Sequence, residues 1–241
     1  SFLLLDNFEV KDKIVLNFKK LLARRIKKEP IAYIFKKKEF WNHSFIVDKN
    51  TLIPRPETEL LIESIIKQYK NKKIFILDIG TGSGCIILSI LHELTKSSGI
   101  GIDISKKALA IAQKNSINLG LKRRIKFMKR NLNEFHSYKF DLIVSNPPYI
   151  RSHEIKNLSD DIKKYEPRLA LDGGNDGLDV IKKVIYKSKS ILKRNGMLAL
   201  EIGYGQYRKV SQILKLSGFK DRFLIEDYQK NIRCVLANLE N

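Results

Sequence analysis

Residues 74–84 read Ile74-Phe-Ile-Leu-Asp78-Ile-Gly80-Thr-Gly82-Ser-Gly84. The first five residues form a largely apolar run that predicts a short buried strand, and the apolar stretch from Cys85 to Leu94 predicts a helix. The three glycines between them stand at alternate positions, where a backbone without Cβ atoms can approach a ligand closely and adopt positive φ. A strand, a glycine-rich turn and a helix in this order predict a ligand-binding loop.

The same alternation of strands and helices continues to the end of the chain. Strands are predicted next at 99–103, 124–128, 140–145 and 197–202, helices at 105–118, 176–192 and 207–216, and a closing strand pair at 223–225 and 232–236. This order predicts an α/β fold with a doubly wound, mostly parallel seven-stranded sheet. Ligands of such sheets bind at the carboxyl ends of the strands, near the point where the strand order reverses.

The first part of the chain has a different pattern. Helical spacing of apolar residues predicts a helix from Asn7 to Lys28, and aromatic residues between Phe35 and Val47 predict a hairpin around Asn42-His43. A proline-rich connector, Ile53-Pro-Arg-Pro-Glu-Thr58, leads into a helix at 58–68. We therefore expect a small N-terminal segment at 1–52 and a main domain at 53–241.

The composition bounds the class of protein. The 241 residues contain 43% hydrophobic residues, enough for a substantial core and too many for a disordered chain. Lys and Arg number 46 against 26 Asp and Glu, a net charge of +20. This excess has two interpretations, a polyanionic partner such as RNA or, favoured here, a solvated surface rich in lysine.

Neither the cysteines nor the histidines form a metal pattern. Cys85 and Cys234 lie far apart, which fits a reduced, cytoplasmic protein, and no apolar run reaches the roughly 18 residues of a membrane span. The four histidines have no partner at metal-ligand spacing; they are His43, His92, His136 and His153. We expect no metal and no membrane partner.

The glycine loop differs from the phosphate-binding loops. It lacks the spacing of the dinucleotide motif and the Gly-Lys-Ser/Thr of a Walker loop. Asp103 ends the second strand, where a carboxylate can accept both hydroxyls of a ribose. Asp78 and Asp141 are expected at or near the same edge of the sheet. A nucleoside without phosphates, held by glycines among acids, indicates S-adenosylmethionine, whose sulfonium is cationic.

The fourth strand of the main domain ends in Ser145-Asn146-Pro147-Pro148-Tyr149. The two prolines fix the backbone and remove two donors, so the Asn146 side chain and the Pro147 carbonyl can accept hydrogen bonds from one NH₂ group. Tyr149 offers a face for a planar amide or base. An amide nitrogen is a poor nucleophile, and two acceptors favour its pyramidalisation and aim its lone pair at a methyl carbon.

These two motifs resemble those of the class I amino-methyltransferases, which have a Rossmann-like fold. Three further segments narrow the resemblance to the release-factor glutamine methyltransferases, the HemK/PrmC family. They are Glu29-Pro-Ile-Ala-Tyr33 followed by Glu39-Phe-Trp41, the connector Ile53-Pro-Arg-Pro-Glu-Thr-Glu59, and Tyr165-Glu-Pro-Arg-Leu-Ala-Leu-Asp-Gly-Gly174. The resemblance implies methyl transfer from S-adenosylmethionine to the side-chain N5 of the glutamine in the Gly-Gly-Gln motif of peptide chain release factors.

The resemblance also implies residue roles. The residues that would bind the cofactor are Asp78, Gly80, Thr81, Gly82, Ser83, Gly84, Asp103, Asn131, Leu132 and Asn146. Those that would bind the glutamine amide are Asn146, Pro147, Pro148 and Tyr149. Two features depart from the family: the adenine side carries Asn131-Leu132 in place of an acid or an aromatic ring, and the N-terminal segment is short, which predicts a truncated front segment.

Two other functions stay open from the sequence. The same chemistry could act on a flipped base of RNA or DNA, which the charge favours and the Pro-Arg-Pro-Glu-Thr connector disfavours. A basic ribosome-associated binding module is the non-enzymatic alternative, and the intact glycines, Asp103 and Asn146 argue against it. The charge leaves open a secondary role in attracting an acidic release factor or the ribosome.

Overall fold

The computed structural model describes residues 11–135 and 138–239. Seven strands form one sheet. In chain order they are β3 (Phe75–Ile79), β4 (Ser98–Asp103), β5 (Ile125–Lys129), β6 (Phe140–Ser145), β7 (Leu192–Glu201), β8 (Phe219–Glu226) and β9 (Ile232–Leu239). Their order across the sheet is β5-β4-β3-β6-β7-β9-β8. A separate hairpin consists of β1 (Lys37–Phe40) and β2 (His43–Ile46).

The strand directions confirm the doubly wound α/β fold. The five neighbouring strands β5, β4, β3, β6 and β7 run parallel to one another. Strand β9 is antiparallel to both β7 and β8. The helices are α1 (Asp12–Ile26), α2 (Ile31–Phe35), α3 (Glu57–Tyr69), α4 (Cys85–Glu93), α5 (Lys106–Asn118), α6 (Asp160–Tyr165), α7 (Asp179–Ile191) and α8 (Tyr207–Leu216). The chain leaves β3 toward β4 and β5 and returns to β6 on the other side of β3, so the order reverses between β3 and β6.

Alternate residues of each central strand enter two cores, one on each face of the sheet. In β6, Leu142 and Val144 belong to one core and Ile143 to the other, which follows from the period of two along a strand. The first core also contains Phe40 and Phe45 of the hairpin, whose rings meet edge to face at 6.0 Å. The hairpin thereby packs on the same face of the sheet as α3 and α4.

Some boundaries differ from the sequence predictions. The hairpin turns at Trp41 and Asn42, both at positive φ, so His43 lies in β2 and not in the turn. The predicted helix at 7–28 is described only from residue 11 onward, and there it spans Asp12–Ile26. The short helices α2 and α6 were not predicted, because five and six residues are too few to show a helical period.

Candidate active site

The glycine loop and the Asn-Pro-Pro-Tyr loop leave neighbouring strands at the point where the strand order reverses. Ile79 of β3 pairs with Ser145 of β6, and the Ser145 hydroxyl donates a hydrogen bond to the Ile79 carbonyl at 2.7 Å. Gly80 and Asn146 are the next residues along the two strands. The structure therefore brings the two motifs together at the carboxyl edge of the sheet, where a ligand of this fold binds.

The glycine loop is held against the end of β4. The backbone N–H groups of Gly80 and Thr81 both donate to the carbonyl of Ile102, at 2.9 and 3.0 Å. Gly80 has a φ of +72°, and a Cβ atom added there would have no atom within 4 Å, so the loop presents bare backbone to open space. Gly84 also has positive φ, but a Cβ there would press on Leu88 and Ala112, so Gly84 serves the packing of α4.

Two carboxyl groups lie beneath this loop, Asp103, which is partly buried, and Asp78, which is fully buried. Asp103 accepts hydrogen bonds from the backbone N–H groups of Gly82 at 3.0 Å and Ser105 at 2.8 Å, and burial raises its pKa. Asp78 is fully buried and accepts a hydrogen bond from the Thr81 hydroxyl at 2.6 Å. Burial raises the pKa of Asp78 to about 7, with the Thr81 hydrogen bond opposing and the charge of Asp103 adding to the shift.

A cavity of about 480 Å³ opens above the loop, within the range of small-molecule sites. Nine residues that the sequence analysis named for the site line it: Gly80, Thr81, Gly82, Ser83, Asp103, Asn131, Leu132, Asn146 and Pro148. The lining does not include Asp78, Gly84, Pro147 or Tyr149. Thr58, Arg55 and Pro167 line it too, and the sequence analysis gave Thr58 and Pro167 no role in the site.

The Asn131-Leu132 segment forms one wall of this cavity. The Asn131 side chain accepts a hydrogen bond from the backbone N–H of Asn133 at 3.2 Å and so caps the short 3₁₀ turn Leu132–Glu134. Leu132 packs against the core that lies on the α7 side of the sheet. This wall therefore presents an aliphatic side chain to the cavity.

Asn146 lies close to two buried side chains, Thr58, which also lines the cavity, and Glu201, which does not. Its Nδ2 donates to the Thr58 hydroxyl at 3.4 Å, and that hydroxyl donates to Glu201 at 2.6 Å. Tyr149 is half-buried against the second core, and burial raises its pKa to about 12. The Tyr149 carbonyl accepts a hydrogen bond from Gln206 at 3.0 Å, which fixes the end of the Asn-Pro-Pro-Tyr loop.

The segment from Tyr165 to Gly174 forms backbone hydrogen bonds with the residue that follows the Asn-Pro-Pro-Tyr loop. Ile150 donates its N–H to the Leu171 carbonyl at 3.0 Å and accepts the Gly173 N–H at 2.8 Å. A Cβ atom at Gly173 would lie 2.8 Å from the Pro148 carbonyl, so only glycine allows this approach. Two of the three segments that carried the family resemblance therefore touch the cavity, this one and the proline-rich connector.

An ion pair joins these two segments. Arg55 of the connector pairs with Glu166, whose side chain is only 1% exposed and also accepts the backbone N–H of Ile53 at 3.2 Å. Arg55 therefore forms a structural ion pair and also lines the cavity.

One acidic side chain does not lie where the sequence predicts it. Asp141 is the second residue of β6 and lies at its amino end, where it accepts the Phe75 N–H at 2.7 Å and pairs with Lys193. It is therefore at the opposite edge of the sheet from Asp78 and Asp103. Arg124, just before β5, is also held by the fold, because its guanidinium donates to the Leu91 carbonyl at 2.6 Å.

Two of the histidines contact each other, which their spacing in the sequence did not predict. The rings of His43 and His92 meet at 4.2 Å between centroids, and burial together with the neighbouring ring lowers the pKa of His43. His136 lies outside the described residues. Within residues 11–135 and 138–239, no group of three or more His, Cys, Asp or Glu is placed to hold a metal ion.

Comparison with known proteins decides the family. The family model of the methyltransferase small domain matches residues 56–174. The release factor glutamine methyltransferase of Caulobacter vibrioides is 39% identical over 218 residues, which cover 90% of this chain and 75% of that protein. The chain belongs to the release factor glutamine methyltransferase family. The family member of Clostridium acetobutylicum is also 39% identical, over 95% of this chain and 82% of its own length.

Solved structures of other proteins have the same fold as this member of the release factor glutamine methyltransferase family. A methyltransferase from Pyrococcus furiosus superposes with a TM-score of 0.61 at 13% identity, over 93% of this chain and 99% of that one. Ribosomal protein L11 methylase from Lactobacillus delbrueckii subsp. bulgaricus gives 0.59 at 22% identity, over 78% and 81%. No helix in the described part of the chain is long and apolar enough to cross a membrane.

Proposed function

We propose that this protein transfers a methyl group from S-adenosylmethionine to the N5 atom of the glutamine in the Gly-Gly-Gln motif of peptide chain release factors. The membership in the release factor glutamine methyltransferase family carries the proposal, and the position of Asn146 beside the glycine-lined cavity agrees with it. The other functions left open by the sequence become outcomes of the test. The enzyme would then work beside its substrate in the cytoplasm.

The residues of the cavity suit the proposed cofactor. The bare backbone at Gly80 leaves room for a close ligand, and the Asp103 carboxylate, which lines the cavity, retains lone pairs for ribose hydroxyls. Leu132 gives an apolar surface for a purine ring. When bound, S-adenosylmethionine supplies an electrophilic methyl group on a sulfonium. The Asp103 carboxylate in the cavity wall, in a chain of net charge +20, favours a cationic ligand.

Asn146 and Pro147 orient the acceptor amide in this proposal. The Asn146 carbonyl oxygen and the Pro147 carbonyl accept the two hydrogens of the substrate's NH₂ group. This draws the nitrogen lone pair out of conjugation and directs it along the methyl-transfer line. The nitrogen loses its proton after transfer, so no strong base is needed, and positioning with electrostatic stabilisation supplies most of the rate enhancement.

The experiment uses S-adenosylmethionine labelled in its methyl group. Parallel reactions contain a release factor, the same factor with its motif glutamine changed to alanine, bulk RNA and bulk DNA. We expect label on the unmodified release factor and none on the alanine form. Label on nucleic acid alone would overturn the proposal in favour of a base amine. No label anywhere, with normal cofactor binding, would favour a binding module.

A further inference from the structure

Thr58 lies between Asn146 and Glu201. The Asn146 Nδ2 atom donates to Thr58 Oγ1 at 3.4 Å, and Thr58 Oγ1 donates to Glu201 Oε2 at 2.6 Å. The three residues come from the loop after β6, the start of α3 and the end of β7. Thr58 and Glu201 are only 2% and 1% exposed. Thr58 and Asn146 both line the cavity, whereas Glu201 does not. The hydrogen bonds therefore run from the cavity wall into the protein interior.

The direction of these bonds follows from the chemistry of the groups. An ionised carboxylate only accepts hydrogen bonds, so the Thr58 hydroxyl must point its hydrogen at Glu201. The Thr58 oxygen then faces Asn146 with lone pairs, which accept from an NH₂ group and repel a carbonyl oxygen. An asparagine amide has two orientations of similar shape. This arrangement selects the one with Nδ2 toward Thr58 and Oδ1 on the opposite side.

We propose that Thr58 and Glu201 are positioning residues that hold the Asn146 amide with its Oδ1 turned toward the NH₂ group of the substrate. The inference rests on the proposed function, in which Asn146 accepts a hydrogen bond from that group. With the amide reversed, Asn146 would present a donor to a donor, and the substrate nitrogen would lose one of its two acceptors.

Burying Glu201 at this place costs folding free energy, which an apolar residue in the same position would not cost. A carboxyl group without solvent costs folding free energy unless it is well paired. Burial raises the pKa of Glu201 to about 7. Hydrogen bonding to Thr58, the charge of Arg233 on β9 and hydrogen bonding to the Asn146 side chain oppose the shift, and the charge of Glu57 on α3 adds to it. The charge of Glu201 also contributes to raising the pKa of three neighbouring groups, which are Tyr149, Cys85 on α4 and Cys234 on β9.

Protonation of Glu201 would remove this directionality. A protonated carboxyl group can donate to Thr58, and the hydroxyl no longer has a fixed direction. We therefore expect the turnover rate to fall as pH decreases through about 7 in the wild-type enzyme. In Glu201→Gln this part of the pH profile disappears, because an amide does not titrate there.

Two substitutions at Thr58 form a matched pair. Thr58→Val keeps the shape of the side chain and removes the hydroxyl, whereas Thr58→Ser keeps the hydroxyl. We expect Thr58→Val to lower kcat about tenfold or more, a size typical of misaligned reacting groups. The KM for the release factor, the dissociation constant of S-adenosylhomocysteine by calorimetry and the thermal midpoint should stay near wild type. Thr58→Ser should restore most of kcat.

The outcomes separate this inference from the proposed function. A Thr58→Val enzyme with wild-type kcat would overturn the positioning role, as would a loss of kcat in Glu201→Gln with the wild-type pH profile. An equal loss of kcat in Thr58→Val and Thr58→Ser, together with a lower thermal midpoint in both, would assign Thr58 a structural role instead. If wild type methylates a nucleic-acid base and not a release factor, the proposed function fails, and the same variants then test the positioning role on that base amine.

Discussion

The carboxylate of Asp103 accepts a hydrogen bond from the backbone N–H of Gly82 at 3.0 Å, which ties the acid at the end of β4 to the glycine loop after β3. The same carboxylate lines the cavity. One side chain thus both shapes the loop and offers acceptors to a ligand.

Asp103→Asn should weaken cofactor binding about tenfold or more, because the amide loses one acceptor oxygen and its negative charge. The dissociation constant of S-adenosylhomocysteine, measured by calorimetry, checks this. Asp141→Asn is the matched control, since Asp141 lies at the opposite edge of the sheet. It should lower stability without changing the dissociation constant. Equal effects of the two substitutions on binding would show that Asp103 does not contact the cofactor.

Gly80→Ala tests the bare backbone of the loop. An alanine at φ +72° costs about 1–2 kcal/mol of strain. Gly120 has φ +70° and equally open space, but it follows α5 and does not line the cavity, so Gly120→Ala carries the same strain elsewhere. Both variants should lose similar free energy of unfolding in urea, and only Gly80→Ala should bind the cofactor more weakly. Unchanged binding in Gly80→Ala would contradict the close approach.

Asn146→Ala should abolish methyl transfer and leave the dissociation constant of the cofactor within a few-fold of wild type, because its acceptor oxygen is assigned to the substrate amide. Asn118→Ala, at the exposed end of α5, should change neither quantity. Single-turnover rates and equilibrium binding measure the two effects separately. A large loss of cofactor binding in Asn146→Ala would mean that Asn146 serves the cofactor first.

Asp78 should make the cofactor-free protein less stable as pH rises. Burial raises its folded pKa from 3.8 to about 7, so the folded state holds a proton that the unfolded state has already lost between these values. The stabilisation is complete below pH 4 and disappears by about pH 7, at up to about 1.4 kcal/mol per pH unit. The difference in unfolding free energy between wild type and Asp78→Asn should shrink or reverse sign over this range. A constant difference would contradict the raised pKa.

The regular elements of the main domain were predictable because their hydrophobic runs are bounded clearly. The strand at 140–145 and the helix at 207–216 were predicted with the bounds that the structure has. The glycine loop and Asn146 could also be placed at one edge, because both follow apolar runs that read as parallel strands.

The contacts behind Asn146 could not be predicted in the same way. Thr58 and Glu201 are 143 residues apart in the chain, and Arg55 and Glu166 are 111 apart. No local pattern links such pairs, because they meet only when the sheet is assembled. The error at Asp141 has a different origin, since a residue that precedes the apolar run of a strand lies at its amino end and not at its carboxyl end.

The most direct test of the account is mass spectrometry of a release factor after incubation with this protein and S-adenosylmethionine. Fragmentation of the peptide that contains the Gly-Gly-Gln motif locates any added mass. We expect one methyl group on the side-chain nitrogen of the motif glutamine, and none when the Asn146→Ala enzyme is used. An unmodified glutamine, in a reaction where the same enzyme methylates another acceptor, would contradict this expectation.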